Sequence, residues 1–367
     1  MAKRIIISGG GTGGHIFPAI AIANALTRLA PDTVLLFVGA NGKMEMEKVP
    51  AAGYEIIGLD IQGMNRTSLW KNLALPFKLY KSIRKAHEII RDFKPNVAVG
   101  VGGYASGPLL HAAARVGVPY LIQEQNSYAG ITNKRLAKKA DKVCVAFDGM
   151  EKFFPRDKIL FTGNPIRRDA VTIAHKRAEA MASLGLSADK KTILLTGGSL
   201  GARTLNESMQ NGLERLIAAD VQLIWQCGAY YYDSLSGALD PKYNEYVKLT
   251  AFLQRMDFAY AAADIIIARA GAGTIAELCV VAKPTILVPS PNVAEDHQTK
   301  NAQALVDKTA ALMVSDSDAP RKLIDTALHL LNNQEQSEML CANLKKMAVL
   351  DADEVIAREV LKLAGKQ

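Results

Sequence analysis

Residues 264–277 read DIIIARAGAGTIAE, and residues 283–289, one helix later, read KPTILVP. Ile265-Ile266-Ile267 is an apolar run of strand length. Arg269 to Thr274 carries two glycines and turns directly into a helical pattern over Ile275–Val281, which Lys283-Pro284 ends. Thr285–Val288 is a second strand, stopped by Pro289. Strand, small-residue turn, helix, strand is the unit from which parallel, helix-covered sheets are built. The turn also has a chemistry. Glycines let the backbone come close to a ligand, and a helix start presents N–H groups and partial positive charge that favour phosphate. Thr274 adds a hydroxyl, and Glu277, one turn on, is placed to accept from the two hydroxyls of a ribose. No Lys-[Ser/Thr] pair follows the glycines, so the stretch is not a P-loop. On the glycines alone, a tight turn with no ligand fits equally well.

The same plan recurs outward from this point. Lys191–Thr196 is a strand, followed by Gly197-Gly198-Ser199-Leu200-Gly201-Ala202 and a helix from Arg203. Gln222–Gln226 and Val247–Phe252 read as strands, Asp257–Ala263 as a short helix, and Asp353–Gly365 as an amphipathic tail helix. The chain opens in the same way. Arg4–Ser8 is a strand, Gly9-Gly10-Gly11-Thr12-Gly13-Gly14-His15 follows, and a helix is expected from Pro18 to about Ala30. A second glycine loop, 102–108, follows the strand Asn96–Val101 and leads into a helix from Leu109 to about Val116. Val118–Gln123 is a strand ending in Glu124-Gln125-Asn126, polar residues at the carboxyl edge where open α/β sheets bind ligands. Val143–Ala146 and Ile159–Thr162 are further short strands. Gly163-Asn164-Pro165 marks a turn and a junction. Two similar α/β domains in tandem, with a cleft between them, are the expectation.

Gly9, Gly11 and Gly14 formally match GxGxxG. A dinucleotide site also needs an acidic residue at the end of the next strand, and Val34–Val38 ends in Gly39-Ala40-Asn41. Nicotinamide chemistry is therefore disfavoured, leaving a loop whose N–H groups meet a phosphate or sugar. His15 follows these glycines. It serves there either as a general base near neutral pH or as a group that caps the helix or bonds a carbonyl, and the residues alone leave both open.

A length of 367 residues exceeds one ordinary core, which agrees with two domains. The chain is 49% hydrophobic and 22% charged, as expected of a soluble globular protein. Cys144, Cys227, Cys279 and Cys341 form no CxxC pair and no disulfide framework, pointing to a reducing compartment. The six histidines include no HExxH, which argues against a zinc site. No stretch has the form of a signal peptide or a membrane span, so a cytoplasmic protein is expected.

The formal net charge of +8 is concentrated. From Arg66 to Lys94 eight Lys or Arg face only Glu88 and Asp92. Leu69, Trp70, Leu73, Phe77 and Tyr80 are interleaved with these cations, and Pro76 is expected to split the segment into a short and a longer helix. Such a segment either lies on an anionic bilayer or packs against a core with a solvated basic face. No nucleic-acid-binding motif is present, and no nucleic-acid partner is expected.

Taken in order, GGGTGGHIFP (9–18), GGYASGP (102–108), EQN (124–126), GNPIR (163–167), GGSLGA (197–202), RAGAGTIAE (269–277) and DHQTKNA (296–302) closely resemble the MurG family over essentially the whole chain. These are the UDP-N-acetylglucosamine:lipid I N-acetylglucosaminyltransferases of bacterial peptidoglycan synthesis. The resemblance implies an α/β GT-B fold, two Rossmann-like parallel-sheet domains facing across a cleft. Residues 1–163, with a C-terminal helix at about 344–367 crossing back, would take the acceptor and the membrane; residues 164–343 would bind UDP-GlcNAc. The reaction implied is transfer of GlcNAc to the C4 hydroxyl of MurNAc in lipid I, with inversion, giving lipid II and UDP.

The resemblance also implies roles. Glu277 would bind the ribose; Arg167 and backbone around Leu253 would lie at the nucleotide. Ser199 and the turn Ala272, Gly273, Thr274, continuing into Ile275 and Ala276, would serve the diphosphate. Gln298 and Asn126 would contact the sugar, and Thr12, Gly13 and Gly14 would line its reactive end. Gly102, Gly103 and Tyr104 would help hold the acceptor diphosphate. His15 is the first candidate for the base, Glu124 a distant second. Leu69, Trp70, Leu73, Phe77 and Tyr80 become the membrane-docking surface of an enzyme peripheral on the cytoplasmic face of the inner membrane, and division or cell-wall proteins are possible partners. No cofactor and no structural metal are implied. Leu200 stands where some relatives carry glutamine, and Gly273 where a larger residue is frequent. A UDP-GlcNAc 2-epimerase, a diacylglycerol glycolipid synthase and a catalytically silent scaffold are the competing readings.

Overall fold

The computed structural model describes residues 2–61, 75–198 and 200–365. Contacts divide the chain into two compact units, Met1–Ile166 with Val349–Gln367, and Arg167–Ala348.

The first unit is built on strands β1 (Arg4–Gly9), β2 (Val34–Ala40), β3 (Ile56–Leu59), β4 (Val97–Gly102), β5 (Tyr120–Glu124), β6 (Lys142–Val145) and β7 (Ile159–Phe161). Their order is β3-β2-β1-β4-β5-β6-β7, and every neighbouring pair is parallel. Successive side chains of a strand point to opposite faces, so the isoleucine run of β1 feeds two cores. Ile5 and Ile7 pack with Ile16, Ile22 and Leu26 of helix Gly13–Leu29 and with Ile356, Val360 and Leu363 of the tail helix Ala352–Ala364. Ile6 packs on the other face with Val38, Ile90 and Leu109. Each of these side chains contributes roughly 1.5–3 kcal/mol by burial. Arg28 secures the tail helix through Asp353 at 3.1 Å and Glu354 at 3.2 Å.

The second unit repeats the design with β8 (Lys191–Thr196), β9 (Val221–Gln226), β10 (Val247–Thr250), β11 (Ile265–Ala268), β12 (Thr285–Leu287) and β13 (Leu312–Met313). Their order is β10-β9-β8-β11-β12-β13, again parallel throughout. The stretch 264–277 lies at the centre: Ile265 and Ile267 pair with Ile193 and Leu195 of β8, while Ile266 pairs with Thr285 of β12. A strand hydrogen-bonded on both edges and covered on both faces must be apolar throughout.

Some details depart from the sequence reading. The first long helix begins at Gly13, not at Pro18. Thr12 is extended (φ −148°, ψ 158°) and its carbonyl accepts from His15 at 3.1 Å and Ile16 at 3.2 Å, so the helix is already under way before the proline. Pro18 therefore lies inside the helix and costs one hydrogen bond. His15 is consequently a first-turn helical residue. Pro76 belongs to helix Leu75–Phe93, the longer of the two helices expected around it, and the short helix expected before it lies outside the described residues. Strand β3 and the helix Glu45–Ala51 were not anticipated, because Gly58 and Pro50 interrupt their short patterns. Among the described residues, no helix is long and apolar enough to cross a membrane.

Candidate active site

In each sheet the chain winds one way from its first strand and the other way from its fourth. That reversal opens a crevice at the carboxyl ends of the two central strands. In the first unit the switch falls between β1 and β4, whose following loops are 9–14 and 102–107. In the second it falls between β8 and β11, followed by 197–202 and 269–274. All four glycine-rich motifs thus occupy switch points.

In the first unit the two loops touch. Gly10 donates to the carbonyl of Gly102 at 3.3 Å. A Cβ on Gly103 (φ +89°) would stand 2.2 Å from the Gly10 carbonyl, so neither chirality nor space admits another residue. Ser106 Oγ reaches the carbonyls of Ser8 (2.9 Å) and Gly102 (2.8 Å), tying the loops to the sheet. Above them His15 Nδ1 lies 2.9 Å from Gln125 Oε1. Its ring seats directly on Gly102, where a Cβ would approach Nδ1 to 2.6 Å. Thr12 and Gly14 are exposed beside it, Gly13 is half-buried, and Tyr104 stands half-exposed at the rim.

Glu124 has a different task. Its carboxylate is buried and accepts from the N–H groups of Asn126 (3.1 Å) and Gly130 (3.1 Å) and from the side-chain amide of Asn133 (2.8 Å). It holds the loop after β5, which presents Asn126, and a carboxylate so engaged is poorly placed to take a proton. Glu45 is the residue that sequence reasoning missed. Buried beneath the first loop, it accepts from Gly11 at 2.8 Å and Ala40 at 3.0 Å.

In the second unit the loops line a hollow of roughly 710 Å³ that includes Gly198, Leu200, Arg269, Thr274 and Gln298. Helix Ala272–Val281 starts here, with Gly271 extended before it. Gly273 and Thr274 belong to the first turn, whose N–H groups point out of the helix end. The Ile275 side chain is buried and its N–H bonds the Gly271 carbonyl at 2.9 Å. Ala276 is half-buried one residue on. The glycine loop after β8 is braced by Gln226, which accepts from Thr196 Oγ1 at 2.6 Å and donates to the Gly198 carbonyl at 2.8 Å. Arg269, largely buried, donates to Asp316 at 2.6 Å and to the carbonyls of Val288 and Pro289, so it fastens the hollow's floor. Gln298 accepts from the Ser290 N–H at 2.9 Å, just beyond two consecutive left-handed residues, Glu295 (φ 57°) and Asp296 (φ 51°).

Glu277 lies further along the same helix. Tyr260 donates to its Oε2 at 3.0 Å and Arg167 Nε to its Oε1 at 3.3 Å. Burial pushes its carboxyl above the ordinary range, with Arg167 and the Tyr260 hydroxyl pulling partly back. Complete burial and the adjacent carboxylate hold the Tyr260 phenol well above its usual value. Each Glu277 oxygen has a second lone pair, so the pair can still accept two hydroxyls. Leu253 is half-buried in the loop after β10. Ser199, Leu69, Trp70 and Leu73 lie outside the described residues. Phe77 and Tyr80 are exposed on helix Leu75–Phe93, whose other end packs into the core through Ser82, Ala86, Ile89 and Ile90. Among the described residues no three His, Cys, Asp or Glu side chains converge as a metal site.

Two family models match this architecture. Residues 5–145 match the glycosyltransferase family 28 N-terminal domain, and residues 192–356 match the family 28 C-terminal domain. The chain is a two-domain glycosyltransferase. The UDP-N-acetylglucosamine–N-acetylmuramyl-(pentapeptide) pyrophosphoryl-undecaprenol N-acetylglucosamine transferase of Parabacteroides distasonis is 56% identical over 99% of each chain. The Bacteroides fragilis protein of the same name is 56% identical over 99% of this chain and 96% of its own. The crystal structure of Acinetobacter baumannii MurG matches with a TM-score of 0.80 at 29% identity, covering 98% of this chain and 99% of that one. The chain belongs to the MurG family, and its fold is GT-B. A UDP-N-acetylglucosamine 2-epimerase matches with a TM-score of 0.64 at 15% identity, a likeness of fold alone.

Proposed function

We propose that this chain moves N-acetylglucosamine from UDP-GlcNAc to the C4 hydroxyl of the MurNAc of lipid I, giving lipid II and UDP with inversion at the transferred sugar. The observation that carries the reading is His15, held by Gln125 over two interlocked glycine loops at the switch point of the first sheet. A hydroxyl acceptor needs a base, and a histidine so held is suited to that role. His15 Nε2 takes the hydroxyl proton as the oxygen bonds to C1 of the donor sugar. The bond from C1 to the diphosphate breaks and UDP departs.

The second unit serves the donor. Glu277 accepts the ribose hydroxyls, with Arg167 and the Leu253 backbone at the base. The first turn Ala272–Thr274 and the 197–202 loop, Ser199 included, meet the diphosphate. There the helix end stabilises the charge that grows on the leaving group. Gln298 and Asn126 contact the sugar, with Thr12, Gly13 and Gly14 at its reactive end, and Gly102, Gly103 and Tyr104 face the acceptor diphosphate. The reading assigns no cofactor or metal, and turnover that survives EDTA supports that assignment.

The enzyme works as a peripheral protein on the cytoplasmic face of the inner membrane, docked through helix Leu75–Phe93. Phe77 (61% exposed) and Tyr80 (66% exposed) project from its first turns among lysines, one of which, Lys81, lies 4.6 Å over the Phe77 ring. Apolar side chains set among cations suit an anionic bilayer. Replacing both aromatics with serine should reduce sedimentation with anionic vesicles, and unchanged sedimentation counts against docking.

The decisive experiment for the reaction follows labelled GlcNAc from UDP-GlcNAc to a short-chain lipid I analogue, with UDP release in parallel. Disaccharide formation matched by UDP release establishes the transferase. Consumption or epimerisation of UDP-GlcNAc without disaccharide removes the acceptor assignment.

A further inference from the structure

His15 and Gln125 are 110 positions apart and meet through one hydrogen bond, Nδ1 to Oε1 at 2.9 Å. The direction of that bond is fixed by what lies behind it. Gln125 Nε2 donates to the carbonyl of Val101 at 2.6 Å and lies 3.3 Å from the carbonyl of Gln123. A carbonyl only accepts, so the nitrogen of the Gln125 amide faces inward and its oxygen faces His15. A second anchor gives the same direction. Asn164 Nδ2 donates to the Gln125 carbonyl at 2.9 Å, which turns Asn164 Oδ1 toward Gln123 Nε2, also 2.9 Å away. The Gln123 oxygen then faces Gln125 Nε2 and accepts from it. The three amides are buried, at 0%, 2% and 3% exposure for Gln123, Gln125 and Asn164. Flipping any one sets oxygen against oxygen or nitrogen against nitrogen in a buried position.

An amide oxygen at 2.9 Å from a ring nitrogen requires that nitrogen to bear the proton. In the neutral ring the proton on Nδ1 leaves the lone pair on Nε2. We propose that Gln125 is the positioning residue that sets the tautomer of His15, holding its proton on Nδ1 so that Nε2 is the basic nitrogen. The inference rests on the reading of His15 as the base, which it deepens. In serine hydrolases a buried aspartate orients the histidine in the same way and adds negative charge. Here a neutral amide, itself oriented by two further amides, fixes the tautomer without adding charge.

The test uses the full chain with isotope-labelled histidine and long-range proton–nitrogen correlation spectra at a pH where the ring is neutral. His15 is assigned by its loss in His15→Gln. The expected result is an Nδ1-protonated His15 in the native chain, replaced by mixed tautomers in Gln125→Leu. In that variant kcat for GlcNAc transfer should fall by about 10- to 100-fold, the scale seen for partners that orient a metal-ligating histidine. KM for UDP-GlcNAc should be unchanged. A native His15 protonated on Nε2 overturns the proposal, and this measurement stands even if Gln125→Leu does not fold. A Gln125→Leu chain that keeps the Nδ1 tautomer and native kcat overturns it too. Nδ1 protonation lost in Gln125→Leu, in a native chain that transfers no GlcNAc, supports the tautomer assignment and removes the functional reading instead.

Discussion

The carboxylate of Glu45 holds the glycine loop of the first unit in place, with Oε2 accepting from the backbone N–H of Gly11 at 2.8 Å. Its other oxygen accepts from Ala40 at 3.0 Å, so one buried side chain joins the end of β2 to the loop after β1. Gly10 and Gly39 make room for it: a Cβ on Gly10 would lie 2.2 Å from Oε1, and one on Gly39 2.6 Å from Cγ. Glu45→Ala leaves two N–H groups without their acceptor. It should destabilise the chain by about 2–4 kcal/mol, the scale of two orphaned donors, and should lower turnover because His15 follows that loop. Glu45→Gln, which can accept at only one end, should fall between. A Glu45→Ala chain with the native denaturation midpoint rejects this role.

How far the sequence could be read follows from the range of each signal. The isoleucine runs at 5–7 and 265–267 and the Gly-Gly turns after them are local patterns, and they placed both sheets and all four switch-point loops. Glu45 carries no such signal. The carboxylate sought at the end of β2 is absent, and the one that serves the loop reaches back from a helix five residues beyond Ala40. The crowding around Gly10 and Gly39 is its only trace, and that is visible only once the chain is folded. The partnership of His15 with Gln125 is equally non-local. Glu124, which the sequence offers as a polar residue at a strand end, is consumed by the loop it braces. Ile275 sits within the motif that the resemblance assigns to the diphosphate, yet its side chain points to the core, because the helical period turns it inward.

His15→Ala should separate chemistry from donor binding. Removing a general base typically costs about 10²- to 10⁴-fold in rate, so kcat should fall on that scale. The affinity for UDP-GlcNAc, measured by calorimetry, should stay near the native value, because the donor's nucleotide is assigned to the second unit. Turnover close to native removes His15 as the base.

Asp257 should give the chain an acid-sensitive component of stability. Arg255 donates to both of its oxygens at 2.9 Å and Lys176 adds a third bond at 2.7 Å. The Arg255 hydrogen bonds, ahead of Lys176, hold the carboxyl well below the usual carboxylate range. A carboxyl whose folded value is depressed stabilises the fold at neutral pH and loses that contribution as pH falls below the ordinary value of about 4. Arg255 is more than half exposed, so solvent limits the effect to about 1 kcal/mol or less. Asp257→Asn should be less stable than the native chain at pH 7, and the gap should close on acidification below that point. A gap that is constant with pH would mean that the ion pair is not its source.

Glu277→Gln should move stability and donor binding apart. Burial raises the Glu277 carboxyl, so the folded chain holds its proton more tightly than the unfolded chain does. Stability therefore falls as pH rises from the ordinary carboxylate value to the raised one, and above it the buried charge remains an unfavourable contribution. Glutamine removes that charge. Its amide oxygen can still accept from Tyr260, and Arg167, nearly half exposed, can turn to solvent. The denaturation midpoint at neutral pH should therefore equal or exceed the native one. The ribose hydroxyls meanwhile lose a charged acceptor worth about 1.5–3 kcal/mol, or roughly 10- to 100-fold in UDP affinity. An unchanged UDP affinity would reject the ribose role. A clear fall in midpoint would show that the bonds from Arg167 and Tyr260 outweigh the cost of burying the charge, and that Glu277 is kept for the fold as well as for the donor.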